Sequence, residues 1–341
     1  MGADAAGGRG RRQPLRHNAV ASPTQPATLQ NNTYCAGQPM PHPTPEWGIC
    51  TTVKAPLEQV QAFAAYHLNL GATHIWLHFD DPDDPAAQHF NHPQITTTLC
   101  STTYWMDLIG KRPERHQNRQ GRNMHRVYKT EALPWIAHID VDEYILPNTS
   151  IPTALGALPA DQPMLRMAPY EALHDPALPD DIFTATRFRA ALGGQRNDSA
   201  RTRAFGPYAP LLTNGVLSHA AGKCFFRTGL SRFEPRLHGA FRAGSRVPGG
   251  DFHQGIALLH FHAQDPARWR ARLQFRLTKG AYQYNPALQD WLLTATDAEI
   301  DAFYTATQTA TPETLAKLHA ESALLNATLN LRQTMAKMGL I

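Results

Sequence analysis

The chain contains no long apolar run. None of its segments approaches the roughly 18 consecutive apolar residues that a membrane-spanning helix requires, and its first residues lack the apolar core of a secretory signal. A cytoplasmic protein is therefore expected, with peripheral membrane association as the alternative. Cysteine is scarce as well. Cys35, Cys50, Cys100 and Cys224 stand singly with no CxxC pair, which excludes a zinc knuckle and a disulfide framework. Excess charge of one sign is also missing, with a net charge of +4 over 341 residues. No aromatic-basic recognition motif is present, so no specific nucleic-acid partner is expected. What remains, at 42% hydrophobic residues, fits one large globular domain or two modest ones.

Residues 1–45 are rich in Gly, Pro, Gln, Asn and Arg and poor in branched apolar residues, and are expected to be a disordered tail. Order is expected from residue 46. "GICTTV" is a short β-type run, and "PLEQVQAFAAYHLNLG" places Leu57, Val60, Phe63, Ala64 and Leu68 at helical spacing, closed by Gly71. "THIWLHF" is an apolar run of strand length that ends in "DDPDDP". Beyond it "QITTTLC" predicts a strand, "GRNMHRVYKTEAL" a helix and "PWIAHI" a buried strand. This alternation predicts an α/β fold with a mostly parallel sheet flanked by helices.

In such a sheet ligands bind beyond the carboxyl ends of the strands. Asp80 and Asp140 both fall at such ends. Period-two geometry sends Asp140 and Asp142 to one side and Val141 to the other, so two hard oxygen ligands are expected to converge on one cation. A Mg or Mn ion held there would neutralise a diphosphate leaving group. A solvated acidic turn is the structural alternative. The haloacid-dehalogenase pattern would require a Thr where Tyr144 stands, and Pro82 opposes the helix on which a DDxxD box sits.

Together, "KAPLEQVQAFAAYHLNLGATHIWLHFDD", "HIDVDEYILP", "GKCFFRTGL" and "LLHFHAQDPARWRARLQFR" resemble, in this order, family-2-like glycosyltransferases of the GT-A fold, in the subgroup with a YHxxLG helix and a DxDE motif. The resemblance spans about residues 48 to 280. It implies a GT-A-like, Rossmann-like domain over residues 46–285 and a nucleotide-sugar donor, UDP-linked by preference. It also implies a divalent cation, Mn or Mg, and inverting transfer to a glycan, lipid-linked or small acceptor. Lys54, Asp80, Asp140, Lys223 and Arg227 match donor-site positions, Asp80 being the carboxylate aimed at the base. Asp140 and Asp142 match the metal-binding DxD, and His238 and His260 match two late histidines, of which His260, after "GIALL", is preferred as third metal ligand. Tyr66 and His67 match the YH pair and are expected to pack. Pro56 and Ala62 stand where the family carries acidic residues, and "DPDDP" replaces its Asn-Gly-Ser-type loop.

Inversion requires a proton acceptor, for which Glu171 and Asp175 in "PYEALHDP" are the candidates. Two basic stretches fit phosphate handling: Arg115, Arg119, Arg122 and Arg126 at spacings of four, three and four, and Arg268, Arg272 and Arg276 behind an Asp265 N-cap and Pro266. Residues 286–341 are expected to form a helical C-terminal extension, with "TPETLAKLHAESALLNATLNLRQTMAKMGLI" as one of its helices. Two other classes remain open, a metal-dependent phosphoesterase and a non-catalytic nucleotide- or glycan-binding remnant of the fold. Oligomeric state is not legible.

Overall fold

The computed structural model of the protein describes residues 44–179 and 184–340. The tail expected over residues 1–45 lies outside the described residues up to residue 43. Thirteen strands and eleven α-helices follow one another in the described residues. Strands β1 (Trp47–Val53), β2 (His74–Phe79), β3 (Ile95–Leu99) and β4 (Trp135–His138) carry helices α1 (Leu57–Asn69), α2 (Thr102–Ile109) and α3 (His116–Thr130) between them. Next come β5 (Glu143–Pro147), α4 (Ile151–Gly156), β6 (Met164–Ala172), β7 (Arg187–Ala190), α5 (Asp198–Phe205) and β8 (Lys223–Arg227). A small antiparallel sheet of β9 (Phe233–Arg236), β10 (Gly239–Arg242) and β11 (Ser245–Arg246) precedes β12 (Phe252–His260). The chain finishes with α6 (Pro266–Ala271), α7 (Leu273–Thr278), α8 (Pro286–Thr294), α9 (Asp297–Gln308), α10 (Pro312–Ala320), β13 (Leu324–Asn326) and α11 (Leu331–Lys337).

The main sheet is mixed. β3, β2, β1 and β4 are mutually parallel. β8 runs antiparallel to both β4 and β6, which makes β6 parallel to β4. β6 pairs with β8 and then β7 along one edge, and with parallel β12 along the other, where antiparallel β5 follows.

Alternation along the strands builds two apolar layers, as a buried sheet requires. Ile49, Ile75, Leu77, Trp135 and Ala137 join the core beneath α1, whereas Cys50, Trp76 and Ile136 join Met124, Val127 and Tyr128 of α3 on the opposite face. A third cluster gathers the C-terminal helices around Trp269, Tyr282 and Phe303. The YH pair packs as expected. Tyr66 donates from its hydroxyl to the Ile145 carbonyl at 2.8 Å, and Ile145 N–H donates to His67 Nε2 at 3.3 Å, tying α1 to β5.

The long last helix is interrupted. Ser322 takes a left-handed backbone (φ 54°) after α10, and the next apolar residues form β13, which pairs with β7. Leu324 and Leu325 therefore serve a strand, because the open edge of β7 offers them a ladder partner that sequence spacing does not show. The expected face-sharing of four arginines on α3 is also altered: Arg115 is the N-cap outside the helix, while Arg119 is buried.

Candidate active site

The topology brings one set of strand ends to a single edge. Lys54, Asp80 and Asp140 follow the ends of β1, β2 and β4 there, and Glu171 and His260 stand in the last residues of β6 and β12. Antiparallel β5 and β8 begin there at Glu143 and Lys223. In the β5, β12, β6 ladder Glu143, His260 and Glu171 stand in one row across the sheet. Arg227 occupies the opposite end of β8, paired with Trp135 at the start of β4. Its guanidinium lies over the Trp135 ring and donates to loop carbonyls, including Pro159 O at 3.2 Å. The antiparallel direction of β8 thus removes Arg227 from the donor site it was expected to share with Lys223.

Asp80 is enclosed by arginines. Arg119 donates Nε to Oδ1 at 2.5 Å and Nη2 to Oδ2 at 2.7 Å, and Arg112 donates to Oδ1 at 3.2 Å. Burial pushes this carboxyl up, but the arginines outweigh it and hold the group below the usual carboxylate range. Both Asp80 oxygens thus accept from arginines, Oδ1 from two and Oδ2 from one. Lys54 is exposed beside it and, with His116, borders the same crevice.

The DVDE segment is a turn. β4 stops at His138, and Glu143 N–H donates to Asp140 O at 2.9 Å. The two aspartates make different contacts. Asp140 accepts from Gln120 Nε2 at 2.5 Å on Oδ1 and from Lys223 Nζ at 2.7 Å on Oδ2. Burial opposes its charge, yet the Lys223 ammonium holds it well below the usual range. Asp142 Oδ1 faces His260 Nε2 at 3.8 Å, and burial pushes this carboxyl up.

Glu143, fully buried, is held at both ends. Asp140 N–H donates to its Oε2 at 2.7 Å and Lys223 Nζ stands 3.4 Å from the same atom. Its Oε1 lies 3.0 Å from His219 Nε2 and 3.9 Å from His260 Nδ1. Ligand atoms of Glu143, His219 and His260 lie within 4.8 Å of one another. The His238 ring lies tilted against His219 with centroids 4.3 Å apart, and its Nδ1 is 2.7 Å from Gly222 O. Burial pushes His238 and His138 down to about 3 and His219 well below its ordinary value, so these rings are neutral. A Cβ at Gly222, at φ +67°, would meet Met167 O at 2.1 Å. Only glycine lets β8 start so close to β6, which places Lys223.

Glu171 is engaged in an ion pair. It is buried against Arg189, whose Nε donates at 3.1 Å and whose Nη2 also donates, and it accepts Ser218 N–H at 2.7 Å and Leu217 N–H at 3.1 Å. Burial opposes its ionisation, but Arg189 holds it below the usual range. Most of these contacts fall on Oε2, whereas Oε1 accepts only the Ser218 N–H among the described residues. Asp175 lies half-buried in the loop after β6 and accepts Ala177 N–H at 3.0 Å.

A cleft beside Asp142 is lined by Gln59, Gln264, Arg268, Arg272 and Arg276. Asp265 caps α6 by accepting Arg268 N–H at 2.9 Å, with Pro266 in the first turn, as the sequence predicts. Arg276 is buried, donates Nη2 to His262 O at 2.7 Å, and leaves Nη1 without a hydrogen-bond partner among the described residues. Sequence reasoning missed His219, Arg112 and Gln120. No periodic element or motif marks His219 in "TNGVLSHAAGK", because a loop delivers it.

No helix among the described residues is long and apolar enough to cross a membrane. No family model and no curated protein matches the chain. Among solved structures it is similar to S. aureus TarS 1-349, at 11% identity over 77% of this chain and 81% of that one, with a TM-score of 0.29. A second structure of S. aureus TarS matches at 10% identity over 74% of this chain and 44% of that one, with a TM-score of 0.27.

Proposed function

We propose that the protein is a cation-dependent glycosyltransferase that moves a sugar from a nucleotide-sugar donor, UDP-linked by preference, to a glycan, lipid-linked or small acceptor. The observation that carries this reading is the gathering of Lys54, Asp80, Asp140, Lys223 and His260 at one sheet edge, where the chain's resemblance to the DxDE glycosyltransferases calls for them. A binding remnant would not need an acidic centre kept charged by a buried lysine beside three neutral histidines. A phosphoesterase of the haloacid type would need a nucleophilic Asp, whereas Asp140 is engaged on both oxygens.

The sheet edge fits a divalent cation, since Oε1 of Glu143 and the ring nitrogens of His219 and His260 converge there. When bound, such an ion supplies charge neutralisation for a diphosphate leaving group. The chain's own residues do the remainder. Lys54 and the arginines of α6 and α7 attract the phosphates, and the walls of the Asp142 cleft orient the sugar. In the transfer the acceptor oxygen bonds to the anomeric carbon, the bond from that carbon to the diphosphate oxygen breaks, and the acceptor proton passes to a carboxylate. With Glu171 locked to Arg189, this reading gives that proton to Asp175.

The test is release of nucleoside diphosphate when the full chain is incubated with a panel of nucleotide sugars and Mn. Release from a UDP-linked donor, abolished by Asp142→Asn, is expected. Binding of nucleotide without release from any donor or acceptor mixture would move the protein to the non-catalytic class.

A further inference from the structure

We infer that Glu143, His219 and His260 form a transition-metal site, distinct from the paired aspartates of the DVDE turn and selective against magnesium. This deepens the proposed cation dependence, but the geometry stands without it. Each oxygen of Asp140 already accepts one hydrogen bond, from Gln120 on Oδ1 and from Lys223 on Oδ2. The permanent cation at the acidic centre is the ammonium of Lys223, 1% exposed.

One step further into the edge the arrangement changes. Glu143 is oriented through Oε2 by the Asp140 N–H and Lys223, which turns Oε1 toward the two histidines. The separations from Oε1 are 3.0 Å to His219 Nε2 and 3.9 Å to His260 Nδ1. For bonds of about 2.1 Å these correspond to angles at a shared ion of about 90° and about 135°, within what three-ligand sites adopt. His260 Nδ1 has no hydrogen-bond partner among the described residues, while its Nε2 side faces Asp142 at 3.8 Å. That is the disposition in which a carboxylate orients a metal-binding imidazole from behind. His219 is 23% exposed on its side chain and opens the site to the crevice.

Two imidazole nitrogens and one carboxylate oxygen suit first-row transition ions. Magnesium prefers oxygen ligands and holds its waters. Affinity at such a site should follow Mn below Co, with Mg weakest.

The test uses the full chain, stripped with chelator, titrated calorimetrically with Co, Mn and Mg chlorides in the absence of nucleotide, with the visible spectrum recorded for Co. One equivalent of Co is expected, with Mn weaker and Mg weaker again by roughly a hundredfold. His219→Gln, at a position open enough to tolerate exchange, should cost at least about tenfold in Co affinity and change the spectrum. His319→Gln, exposed on α10, should leave both nearly unchanged. Undiminished Co binding in His219→Gln, loss of binding in His319→Gln, or no binding of any ion overturns the assignment. Sugar transfer supported equally by Mg in His219→Gln would also overturn it while leaving the transferase reading intact. His219-dependent Co binding without turnover of any donor would do the reverse.

Discussion

Lys223 lies 2.7 Å from Asp140 and 3.4 Å from Glu143 with its side chain 1% exposed. Burial pushes its pKa down, but the two carboxylates outweigh it and hold the ammonium above its ordinary value. Removing one member of a buried pair strands the other charge. Lys223→Met should therefore destabilise the protein by on the order of 3–5 kcal/mol. Asp140→Asn added to that variant should recover part of the loss, since the two sites share one interaction. Urea denaturation of the two single variants and the double variant measures the coupling. Additive losses would show that the pair is not an energetic unit.

The Asp80 ion pair with Arg119 makes a comparable prediction with a different readout. Both partners are less than 10% exposed, so Asp80→Asn should lower the thermal midpoint by several degrees and weaken UDP and inorganic diphosphate by similar factors. The arginines that Asp80 holds, rather than a base contact, would then be the route of its effect. A tenfold selective loss of UDP with an unchanged midpoint would instead restore direct base recognition.

His67 provides a pH dependence remote from the crevice. Because Ile145 N–H donates to its Nε2, the ring proton resides on Nδ1 and is donated to Phe63 O at 2.8 Å. Burial pushes its pKa from 6.5 down to about 3. Between those values the unfolded chain carries a proton that the native state does not. This contribution is thus fully present above about pH 6.5 and falls as pH drops toward 3, by up to about 1.4 kcal/mol per pH unit. His67→Gln keeps a donor and an acceptor but has no proton to gain. Denaturation midpoints at pH 7, 5.5 and 4.5 should therefore fall less steeply in that variant than in the parent.

Much of this arrangement was readable from residue order. The runs "THIWLHF" and "PWIAHI" are buried on both faces, so their continuous apolar character signals a central parallel strand, and the acidic residues after them mark its ligand-binding end. The Asp265-Pro266 start of α6 was equally legible, because an N-cap is a local hydrogen bond. What escaped depended on long-range pairing. The antiparallel direction of β8 decides that Lys223 reaches the crevice and Arg227 does not, and five residues of strand contain no mark of direction. Glu171 reads as a loop carboxylate until β7 delivers Arg189 beside it. The Asp140–Asp142 pair was expected to obey strand periodicity, but the strand ends two residues earlier and the pair lies in a turn. The same cause hid His219, whose loop is placed by Glu171 accepting the backbone N–H groups of Leu217 and Ser218.

The cleft beside Asp142 yields the final prediction. Three arginines, Arg268, Arg272 and Arg276, line it against the single carboxylate of Asp142 and that of the capping Asp265. Two of the three guanidinium charges are balanced at most, and Arg276 Nη1 is buried without a hydrogen-bond partner among the described residues. A buried donor in that state costs free energy that an arriving anion would recover. Arg272 is exposed on the adjacent turn, so its replacement by Ala should leave the fold intact while removing one charge-assisted contact. A hydrogen bond to a charged group contributes roughly 1.5–3 kcal/mol, so UDP affinity should fall by about ten- to a hundredfold, with a shallower dependence on salt. Arg276→Lys keeps the charge but loses the fork, and should weaken UDP less than Arg272→Ala does if charge dominates, and more if bidentate geometry dominates. Calorimetry at two salt concentrations separates these cases. Unchanged UDP affinity in both variants, with native thermal midpoints, would show that the cleft does not hold the donor phosphates.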